Sequence, residues 1–290
     1  MTDPTEAAAA ALLHAAIVAV RRYNRLHVTV QEELPDQPSL IVANHGFGAA
    51  IDLNVIATLA ALEQNAGGRP ITMLTHQMAW TLGFGVLLEK FGSVIAGHDS
   101  ARAAFAKGHH VLVFPGGDRE AAKPWGQRNQ VQFHGRTGFA QLAIDQRVPI
   151  VPIVTAGAGE SLVVLASGRR LAKVLRLHEL LRTDWAPVTV SIPWGLNVGL
   201  VGLVPYLPFP TALETVVLPR IDAAITDDPS RLAQDVVERM QRALDAVVVD
   251  RIPVVGRVGR VDRVGGLVRK WTPFTIATSP EAFEREPSTQ

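Results

Sequence analysis

The stretch Leu-Ile-Val-Ala-Asn-His-Gly-Phe-Gly-Ala-Ala-Ile-Asp, residues 40–52, decides how the rest of the chain is interpreted. Its first four residues form an apolar run after Pro38-Ser39, which is typical of a short strand buried on both faces of a sheet. The run ends at Asn44 and His45, and residues 53–63 have the spacing and the helix-forming residues of a helix. The sequence therefore predicts a strand-to-helix junction, where open α/β sheets bind their ligands.

His45 and Asp52 are the titratable residues of this junction. A neutral imidazole accepts a proton near neutral pH, and a carboxylate against its other nitrogen fixes the tautomer and stabilises the imidazolium that forms. Such a pair could activate a hydroxyl group. The residues alone leave a second interpretation open, in which His45 is an ordinary loop histidine and Asp52 is only a helix N-terminal charge.

The composition limits the class of protein. Hydrophobic residues make up 48% of the 290 residues and charged residues 19%, and part of this apolar surface is expected to meet lipid. The net charge of +1 gives no electrostatic argument for nucleic acid, and we expect none as a partner. The absence of cysteine excludes disulfides and thiolate metal or redox sites.

We predict no transmembrane helix and a cytoplasmic protein. The N-terminus is acidic and has no basic region, so residues 7–20 do not have the pattern of a secretory signal, and they are too few to span a bilayer. Residues 186–213 carry no charge, but five prolines interrupt them.

Strand and helix patterns alternate along most of the chain, which predicts one α/β domain with additions at both ends. We predict an N-terminal amphipathic helix within residues 1–26, a main domain over 27–250, and a basic extension with a flexible tail over 251–290. The N-terminal helix could pack on the core or lie on a membrane. The predicted helices cover residues 5–26, 53–63, 77–91 with a break at two glycines, 99–107, a segment ending at 146, 169–183 and 230–249; the predicted strands cover 27–32, 40–43, 71–75, 92–96, 110–114, 148–154, 188–192 and 213–218.

The strand predicted over 148–154 contains Pro149 and Pro152. Proline cannot donate to a sheet ladder, so this strand is expected near an edge of the sheet or to have its prolines at the strand start.

A second polar cluster, Pro-Gly-Gly-Asp-Arg-Glu at residues 115–120, follows a predicted buried strand and is expected to form a turn. Its glycines allow a sharp turn close to a ligand, and Arg119 offers a planar fork of donors that suits phosphate. An ion pair of Arg119 with Asp118, Glu120 or Asp145 is the alternative.

Other catalytic signatures are missing. The chain has no phosphate-binding loop of the GxxxxGK[ST] type, no GxGxxG that opens a helix, no HExxH and no GxSxG. No histidine pair has the i, i+4 spacing of metal ligands on one helical face, so no metal is assigned. Gly159-Glu160-Ser161 matches only part of the GxSxG motif of a nucleophile turn. A serine hydrolase that uses Ser161 is therefore an alternative.

Three blocks in this order resemble the PlsC-like glycerolipid and lysophospholipid acyltransferase superfamily: His45 with Asp52, Phe114 to Glu120, and Val148 to Ile153. The segment GSVIAGHDSARAAFAKGHHVLV, residues 92–113, is similar to the second block of the family, and the resemblance covers roughly residues 38–220. The form Pro-Gly-Gly-x-Arg-Glu and the later Arg-x-Gly-Phe-Ala-x-Leu-Ala-Ile look closer to the diacylglycerol-acyltransferase-like branch. The hallmark His and Asp of the family are separated by four residues, whereas six separate His45 from Asp52.

The resemblance implies an α/β fold with a mixed, largely parallel central sheet flanked by helices. It implies transfer of an acyl group from acyl-CoA or acyl carrier protein to a hydroxyl of a glycerolipid or lysophospholipid, without an acyl-enzyme and with no cofactor beyond the acyl co-substrate. His45 is then the general base and Asp52 its orienter, and the N–H groups of residues 46–48 could stabilise the oxyanion. The residues expected to bind substrate are Asn44, Gly116, Gly117, Arg119, Glu120, Arg136 and Glu160.

An anionic membrane is the remaining expected partner. We expect a peripheral protein on the inner face of the cell membrane, docked through the apolar stretch 194–209 and through residues 251–270, which carry six basic residues against Asp262. Burial of the apolar stretch as ordinary core is the alternative. For the whole chain, the alternative to an enzyme is an inactive lipid-binding or scaffold protein of the same fold, which the long spacing between His45 and Asp52 favours.

Overall fold

The computed structural model describes residues 4–46, 52–81, 83, 85–181, 185–199 and 206–257. Strands and helices alternate along these residues, as the hydrophobic pattern predicts. The strands are β1 (His27–Val30), β2 (Leu40–Ala43), β3 (Ile71–Thr75), β4 (Ser93–Ile95), β5 (His110–Val113), β6 (Ile150–Ala156), β7 (Val163–Ala166), β8 (Val188–Ser191), β9 (Gly195–Val198), β10 (Glu214–Val217), β11 (Arg251–Ile252) and β12 (Gly256–Arg257). The helices are α1 (Pro4–Tyr23), α2 (Leu53–Asn65), α3 (Met78–Thr81), α4 (Gly85–Glu89), α5 (His98–Ala106), α6 (Gly117–Ala121), α7 (Gly138–Gln146), α8 (Arg169–Val174), α9 (Leu177–Leu181) and α10 (Pro229–Val248).

The central sheet has the strand order β1-β10-β6-β2-β5-β3-β4 among the described residues. All neighbouring strands are parallel except β10 and β6, which are antiparallel. Helices α5, α7 and α10 cover one face, and α1 and α2 cover the other. The predicted mixed, largely parallel sheet flanked by helices is confirmed.

The position of β6 corrects one prediction. This strand is fully buried between β10 and β2, not at an edge. Pro149 precedes the strand, and the carbonyl of Pro152 accepts the N–H of Leu218 at 2.9 Å, one residue past the end of β10. The N–H that proline lacks would point to the same side, where the regular ladder is interrupted before the isolated bridge between Ile150 and Ile221, so a central position costs little. Pro149, just before the strand, agrees with the predicted position at a strand start.

Two further local predictions need correction. The turn predicted over residues 115–120 is confined to Pro115 and Gly116, and residues 117–121 form the short helix α6. The single helix predicted over 169–183 is instead two short helices, because the chain breaks after Val174 and Arg176 takes a left-handed φ of +51°.

The N-terminal helix packs on the protein. Ile17 and Val20 of α1 are buried, and Arg21 donates to the carbonyl oxygen of Ala60 on α2 at 3.0 Å. Of the two alternatives for this helix, the structure shows packing on the core. None of the helices in the described ranges is both long and apolar enough to cross a membrane.

The first part of the predicted basic extension is a small hairpin, β11 and β12, that packs on the domain. Arg251 is buried, and Arg257 lies 3.2 Å from the carboxylate of Glu214. The prediction that these residues face a membrane is therefore wrong for Arg251. Residues 258–290, and with them the other basic residues of the extension and the tail, lie outside the described residues, and the domain boundaries stay a prediction.

Candidate active site

The strands that end in polar residues lie side by side. β2 lies between β5 and β6, and the three strands are parallel. Their carboxyl ends therefore meet at one edge of the sheet, where α/β folds bind ligands. The loop after β2 carries His45, the Pro-Gly-Gly turn follows β5, and the turn at Gly157 follows β6.

His45 and Asp52 form a hydrogen bond despite the residues between them. The Nδ1 atom of His45 lies 2.7 Å from Oδ2 of Asp52. Because a carboxylate can only accept, Nδ1 is the donor, and the lone pair of the neutral imidazole is then on Nε2. The His45 side chain keeps 17% of its surface exposed. Its Nε2 atom is therefore chemically able to take a proton from a bound hydroxyl group.

Asp52 also caps helix α2. Its Oδ1 atom accepts the N–H groups of Asn54 at 2.8 Å and of Val55 at 3.3 Å. The helix start thus holds one carboxylate oxygen while the other contacts the imidazole. The helix-terminal charge and the contact with His45, which the sequence leaves as alternatives, are both present.

Asn44 fixes the loop that carries the histidine. Its buried side chain donates to the carbonyl of Thr155 at 3.2 Å and accepts the Thr155 N–H at 2.8 Å, and its own carbonyl accepts from Nδ2 of Asn54 at 2.6 Å. Gly46 allows the close approach, because a Cβ atom there would lie 2.5 Å from Asn54 Oδ1 and 2.8 Å from Ala158 Cβ. The loop is therefore tied to β6 and to α2.

Phe114 and Glu120 support His45 from the neighbouring turn. The rings of Phe114 and His45 have centroids 4.6 Å apart. Oε2 of the fully buried Glu120 accepts the backbone N–H of His45 at 3.0 Å, while Oε1 accepts the N–H of Gln132 at 3.0 Å and lies 3.4 Å from Nζ of Lys123. In the structure Glu120 holds the backbone of the histidine, and its predicted contact with substrate stays a prediction.

Sequence reasoning misses two ionisable groups near the pair. Burial lowers the pKa of the Lys123 ammonium, against the effect of the Glu120 and Asp52 carboxylates. Burial raises the pKa of the Tyr206 phenol, and the charge of Asp52 adds to that shift. The three-residue spacing from Glu120 is a local signal for Lys123. No local signal could have found Tyr206, because it is far along the chain from His45 and Asp52; in the structure it packs with Leu162 and Val164.

Arg136 forms hydrogen bonds to the backbone of the Pro-Gly-Gly turn. Its Nη1 atom donates to the carbonyls of Pro115 at 2.8 Å and Gly116 at 3.0 Å, and its Nη2 atom lies 3.7 Å from Oδ1 of Asp118. Gly117 has a φ of +55°, and a Cβ there would lie 2.6 Å from Nη1. The left-handed backbone conformation therefore favours glycine at this position, and any larger residue would also displace the Arg136 guanidinium.

A positively charged cleft of about 860 Å³ opens beside this turn. Burial lowers the pKa of His134 on its wall, and the charge of Arg119 lowers it further. The cleft suits an anionic group such as phosphate, as predicted for Arg119, although that role stays a prediction. The charged side chains that line the cleft are Arg119, Lys123, Arg136, Arg169 and Glu238.

Glu160 is buried in a network with the C-terminal hairpin. Its Oε2 atom accepts hydrogen bonds from Nη2 of Arg251 at 2.9 Å, from the hydroxyl of Thr211 at 3.1 Å and from the N–H of Val254 at 2.7 Å. The other oxygen, Oε1, lies 3.7 Å from Nε of Arg128. In this position Glu160 holds the hairpin against the turn after β6. Its predicted contact with substrate stays a prediction.

Among the described residues, neither a serine nucleophile nor a metal site has structural support. The hydroxyl of the buried Ser161 donates to the carbonyl of Ala158 at 2.7 Å, whereas a serine nucleophile needs a base that takes this proton. The serine hydrolase alternative therefore gains no support. In the same residues, His, Asp and Glu side chains do not cluster in groups of three or more that could hold a metal ion.

Residues 25–156 match the family model described as Acyltransferase, and this range contains the His45 and Asp52 pair. These residues belong to the acyltransferase family. The resemblance read from the three sequence blocks is thereby confirmed for this acyltransferase domain.

The relatives of this domain are longer proteins. A Homo sapiens protein named "DGAT1/2-independent enzyme synthesizing storage lipids" is 33% identical over 184 residues, which are 63% of this chain and 55% of that protein. The Bos taurus protein of the same name is 31% identical, with 63% and 53% covered. An uncharacterized protein of Mycobacterium tuberculosis is 29% identical over 181 residues, with 62% and 49% covered. The chain thus spans about half the length of the curated relatives it matches.

A solved structure shares the fold of the acyltransferase domain. The 1-acyl-sn-glycerophosphate (LPA) acyltransferase PlsC from Thermotoga maritima superposes with a TM-score of 0.51 over 86% of this chain and 85% of that chain, at 15% identity. At this identity the similarity concerns the fold. It agrees with the mixed central sheet flanked by helices.

Proposed function

We propose that the protein transfers a fatty acyl group from acyl-CoA or acyl carrier protein to a hydroxyl group of a glycerolipid or lysophospholipid. One observation carries the proposal: the 2.7 Å hydrogen bond between Nδ1 of His45 and Asp52 leaves Nε2 as the proton acceptor. The match of residues 25–156 to the acyltransferase family supports the class of reaction.

His45 is the general base in this proposal. The pKa of a hydroxyl group lies far above neutrality, so its attack on a thioester needs a base in contact. Nε2 takes the hydroxyl proton as the acceptor oxygen bonds to the thioester carbonyl carbon, and Asp52 stabilises the imidazolium. The carbon–sulfur bond then breaks, and the leaving thiolate takes the proton from the imidazolium. The acyl group passes directly to the acceptor, without an acyl-enzyme.

The tetrahedral intermediate needs hydrogen-bond donors for its oxyanion. We assign this role to the backbone N–H groups of residues 46–48. The backbone of Gly46, the first of these residues, lies close to Asn54 and Ala158. Residues 47 and 48 lie outside the described residues, so the assignment rests on the sequence.

The acceptor is proposed at the level of its class. The mammalian relatives carry a name that refers to storage lipids, and the structural relative is a lysophosphatidate acyltransferase. The cationic cleft beside Arg119 supports a substrate that bears phosphate, whether donor or acceptor. We also propose that the reaction takes place on the inner face of the cell membrane, where lipid acceptors reside, and that it needs no cofactor beyond the acyl donor.

The alternative, an inactive lipid-binding protein of the same fold, rested on the long spacing between His45 and Asp52. The structure brings the two side chains into hydrogen-bond contact in spite of that spacing. This contact removes the feature that favoured the alternative.

Acyl transfer from radiolabelled acyl-CoA and acyl carrier protein to lysophosphatidate, glycerol 3-phosphate and diacylglycerol tests the proposal. We expect labelled product from the wild type and a rate about 10²- to 10⁴-fold lower from His45→Ala. His14→Ala, which changes a partly exposed histidine on α1, is the matched control and keeps the wild-type rate. Equal rates for a folded His45→Ala would remove this residue from the mechanism. If no labelled product forms with any pair of donor and acceptor, the result would favour the lipid-binding alternative.

A further inference from the structure

The small sheet β7-β8-β9 buries its polar face. Thr189 and Ser191 of β8 are buried, and Asn197 of β9 contacts both of them. The Thr189 hydroxyl donates to Oδ1 of Asn197 at 3.1 Å, and Nδ2 of Asn197 donates to the Ser191 hydroxyl at 3.2 Å. Because side chains alternate between the two faces of a strand, the residues between these three lie on the opposite face.

That opposite face is apolar and open. The register pairs Val190 with Leu196 and Val188 with Val198. Leu196 is 68% exposed, and Trp194, in the turn between the two strands, is 52% exposed. A sheet with one open face normally turns its apolar side to the core and its polar side to water. This sheet does the reverse, which indicates a partner on its apolar side.

Helix α8 adjoins this sheet. Gly168, just before the helix, lies against the backbone carbonyl of Ala186, just before β8, and the Arg169 guanidinium lies 5.0 Å from the centroid of the Trp185 ring. The helix buries only Ala172. Its exposed residues and those that directly follow combine apolar and basic side chains: Arg169, Arg170, Leu171, Lys173, Val174, Leu175 and Arg176.

Exposed apolar side chains are concentrated in this part of the molecule. Among the described residues, nine of the seventeen exposed large hydrophobic side chains lie between Leu165 and Leu207. Val174 is 78% exposed. A concentration of exposed apolar side chains near basic residues marks a candidate interaction site.

We propose that residues 169–176 and 192–198 form a docking surface for an anionic lipid bilayer. The exposed Trp194 suits the headgroup level, Leu196 and Val174 suit shallow insertion, and the cations of α8 suit anionic headgroups. A second copy of the chain would bring the same cations to the contact, which disfavours self-association. The inference deepens the proposed membrane location by naming the surface that binds the bilayer. Vesicle binding is measured without substrate or turnover, so its failure is distinguishable from a failure of the proposed acyl transfer.

The proposal revises the docking predicted from the sequence. The hairpin residues 194–198 are retained, and residues 200–205 of the predicted stretch lie outside the described residues. The structure buries Arg251 and pairs Arg257 with Glu214. The other basic residues of the 251–270 segment lie outside the described residues, and their part in docking stays a prediction. The docking surface proposed here takes its basic residues from α8 and the residues that follow it.

Co-sedimentation with sucrose-loaded vesicles of phosphatidylcholine, with and without phosphatidylglycerol, tests the apolar part. We expect the wild type to bind the anionic vesicles and to dissociate as salt is raised. Leu196→Asp lowers the apparent affinity about tenfold or more, because it removes a buried leucine from the bound state. Ile225→Asp changes an exposed isoleucine outside the docking surface and binds as the wild type does.

The basic part is tested by the triple variant Arg170→Gln, Lys173→Gln and Arg176→Gln. It lowers the apparent affinity on the order of a hundredfold, since each cation near an anionic surface contributes about a fivefold change. The matched control removes the same charge from exposed residues of α10, through Arg231→Gln, Arg239→Gln and Arg242→Gln, and keeps the affinity.

A fluorescence measurement locates the contact. Lipids with brominated acyl chains quench the tryptophan emission of the wild type, and Trp194→Phe loses most of that quenching. Far-UV circular dichroism and the thermal midpoint verify that the variants fold. The proposal is overturned if the wild type does not bind anionic vesicles, or if Leu196→Asp binds them equally well. It is also overturned if sedimentation velocity shows a dimer that Leu196→Asp dissociates while vesicle binding is absent.

Discussion

Asp52 contacts His45 with one carboxylate oxygen and caps helix α2 with the other. The distance from Oδ2 to His45 Nδ1 is 2.7 Å, and that from Oδ1 to the N–H of Asn54 is 2.8 Å. The carboxylate is held by the helix start, so it can hold the imidazole without further support. The spacing between His45 and Asp52 is longer than the hallmark spacing of the family, and the two side chains still form a hydrogen bond.

Two substitutions of Asp52 separate its two contacts. Asparagine is a good N-cap, so Asp52→Asn keeps the stability of α2 but loses the charge that stabilises the imidazolium, and acyl transfer falls on the order of 10²-fold. Asp52→Ala loses the cap as well, which costs about 1 kcal/mol in the free energy of unfolding. Acyl-transfer rates and urea denaturation measure the two effects. Wild-type activity in Asp52→Asn would show that the pair is not coupled in catalysis.

Arg119 is expected to act in binding. Arg119→Ala raises the KM for the substrate that bears phosphate about tenfold or more and lowers kcat less, because a charge-assisted hydrogen bond is lost from both the ground state and the transition state. The control is Arg102→Ala, which changes an exposed arginine paired with Asp99 on α5. Unchanged KM values for both donor and acceptor would favour the local ion pair of Arg119.

Arg251 and Glu160 are expected to contribute to stability. Arg251→Met removes the nearer cation from the buried carboxylate of Glu160 and leaves only Arg128, at 3.7 Å from the other oxygen, so it costs up to about 3 to 5 kcal/mol in the free energy of unfolding. Glu160→Gln costs less, because Glu214 lies 3.4 Å from the other guanidinium nitrogen and still neutralises Arg251. Urea denaturation measures both variants. Asp235→Asn, which breaks an exposed pair with Arg239, is the control and costs under about 0.5 kcal/mol.

A raised KM in Glu160→Gln at unchanged stability would contradict this assignment. It would favour the substrate contact that the family resemblance implies for Glu160. The two roles are therefore distinguishable in one variant.

His110 is expected to make stability depend on pH. It is fully buried at the start of β5; burial lowers its pKa from 6.5 to about 4, and the charge of Arg69 adds to the shift. The unfolded chain therefore binds the proton more tightly. The stability that comes from the neutral form is present above pH 6.5 and is lost as the pH falls toward 4, on the order of 3 kcal/mol in all.

The measurement is urea denaturation of the wild type and His110→Gln over this pH range. The glutamine variant has a flatter dependence, whatever its absolute stability. Equal slopes for the wild type and His110→Gln would contradict the prediction.

Local signals in the sequence determined most of the elements. The apolar run of residues 40–43 predicted β2, and the spacing of residues 230–249 predicted α10, whose observed bounds are Pro229–Val248. Asp228 accepts the N–H of Ser230 at 2.8 Å, as a capping residue does. These features depend on neighbours within one or two turns, which is why the sequence alone reveals them. The family blocks predicted His45, Asp52 and Arg119 as site residues, and the structure brings the first two into contact, while their roles stay predictions.

The tertiary structure decided what depends on distant partners. The regular pairing of β10 stops opposite Pro152 and resumes only at the isolated bridge between Ile150 and Ile221, which accommodates the proline in a central strand. Arg251 reaches Glu160 from the C-terminal hairpin, a contact that no local pattern predicts. The outward apolar face of β8 and β9 follows from which side of the sheet is covered, which alternation alone does not specify. Local preferences set helices and strands, whereas burial and charge pairing follow from contacts between residues far apart in the chain, and these exist only once the sheet has formed.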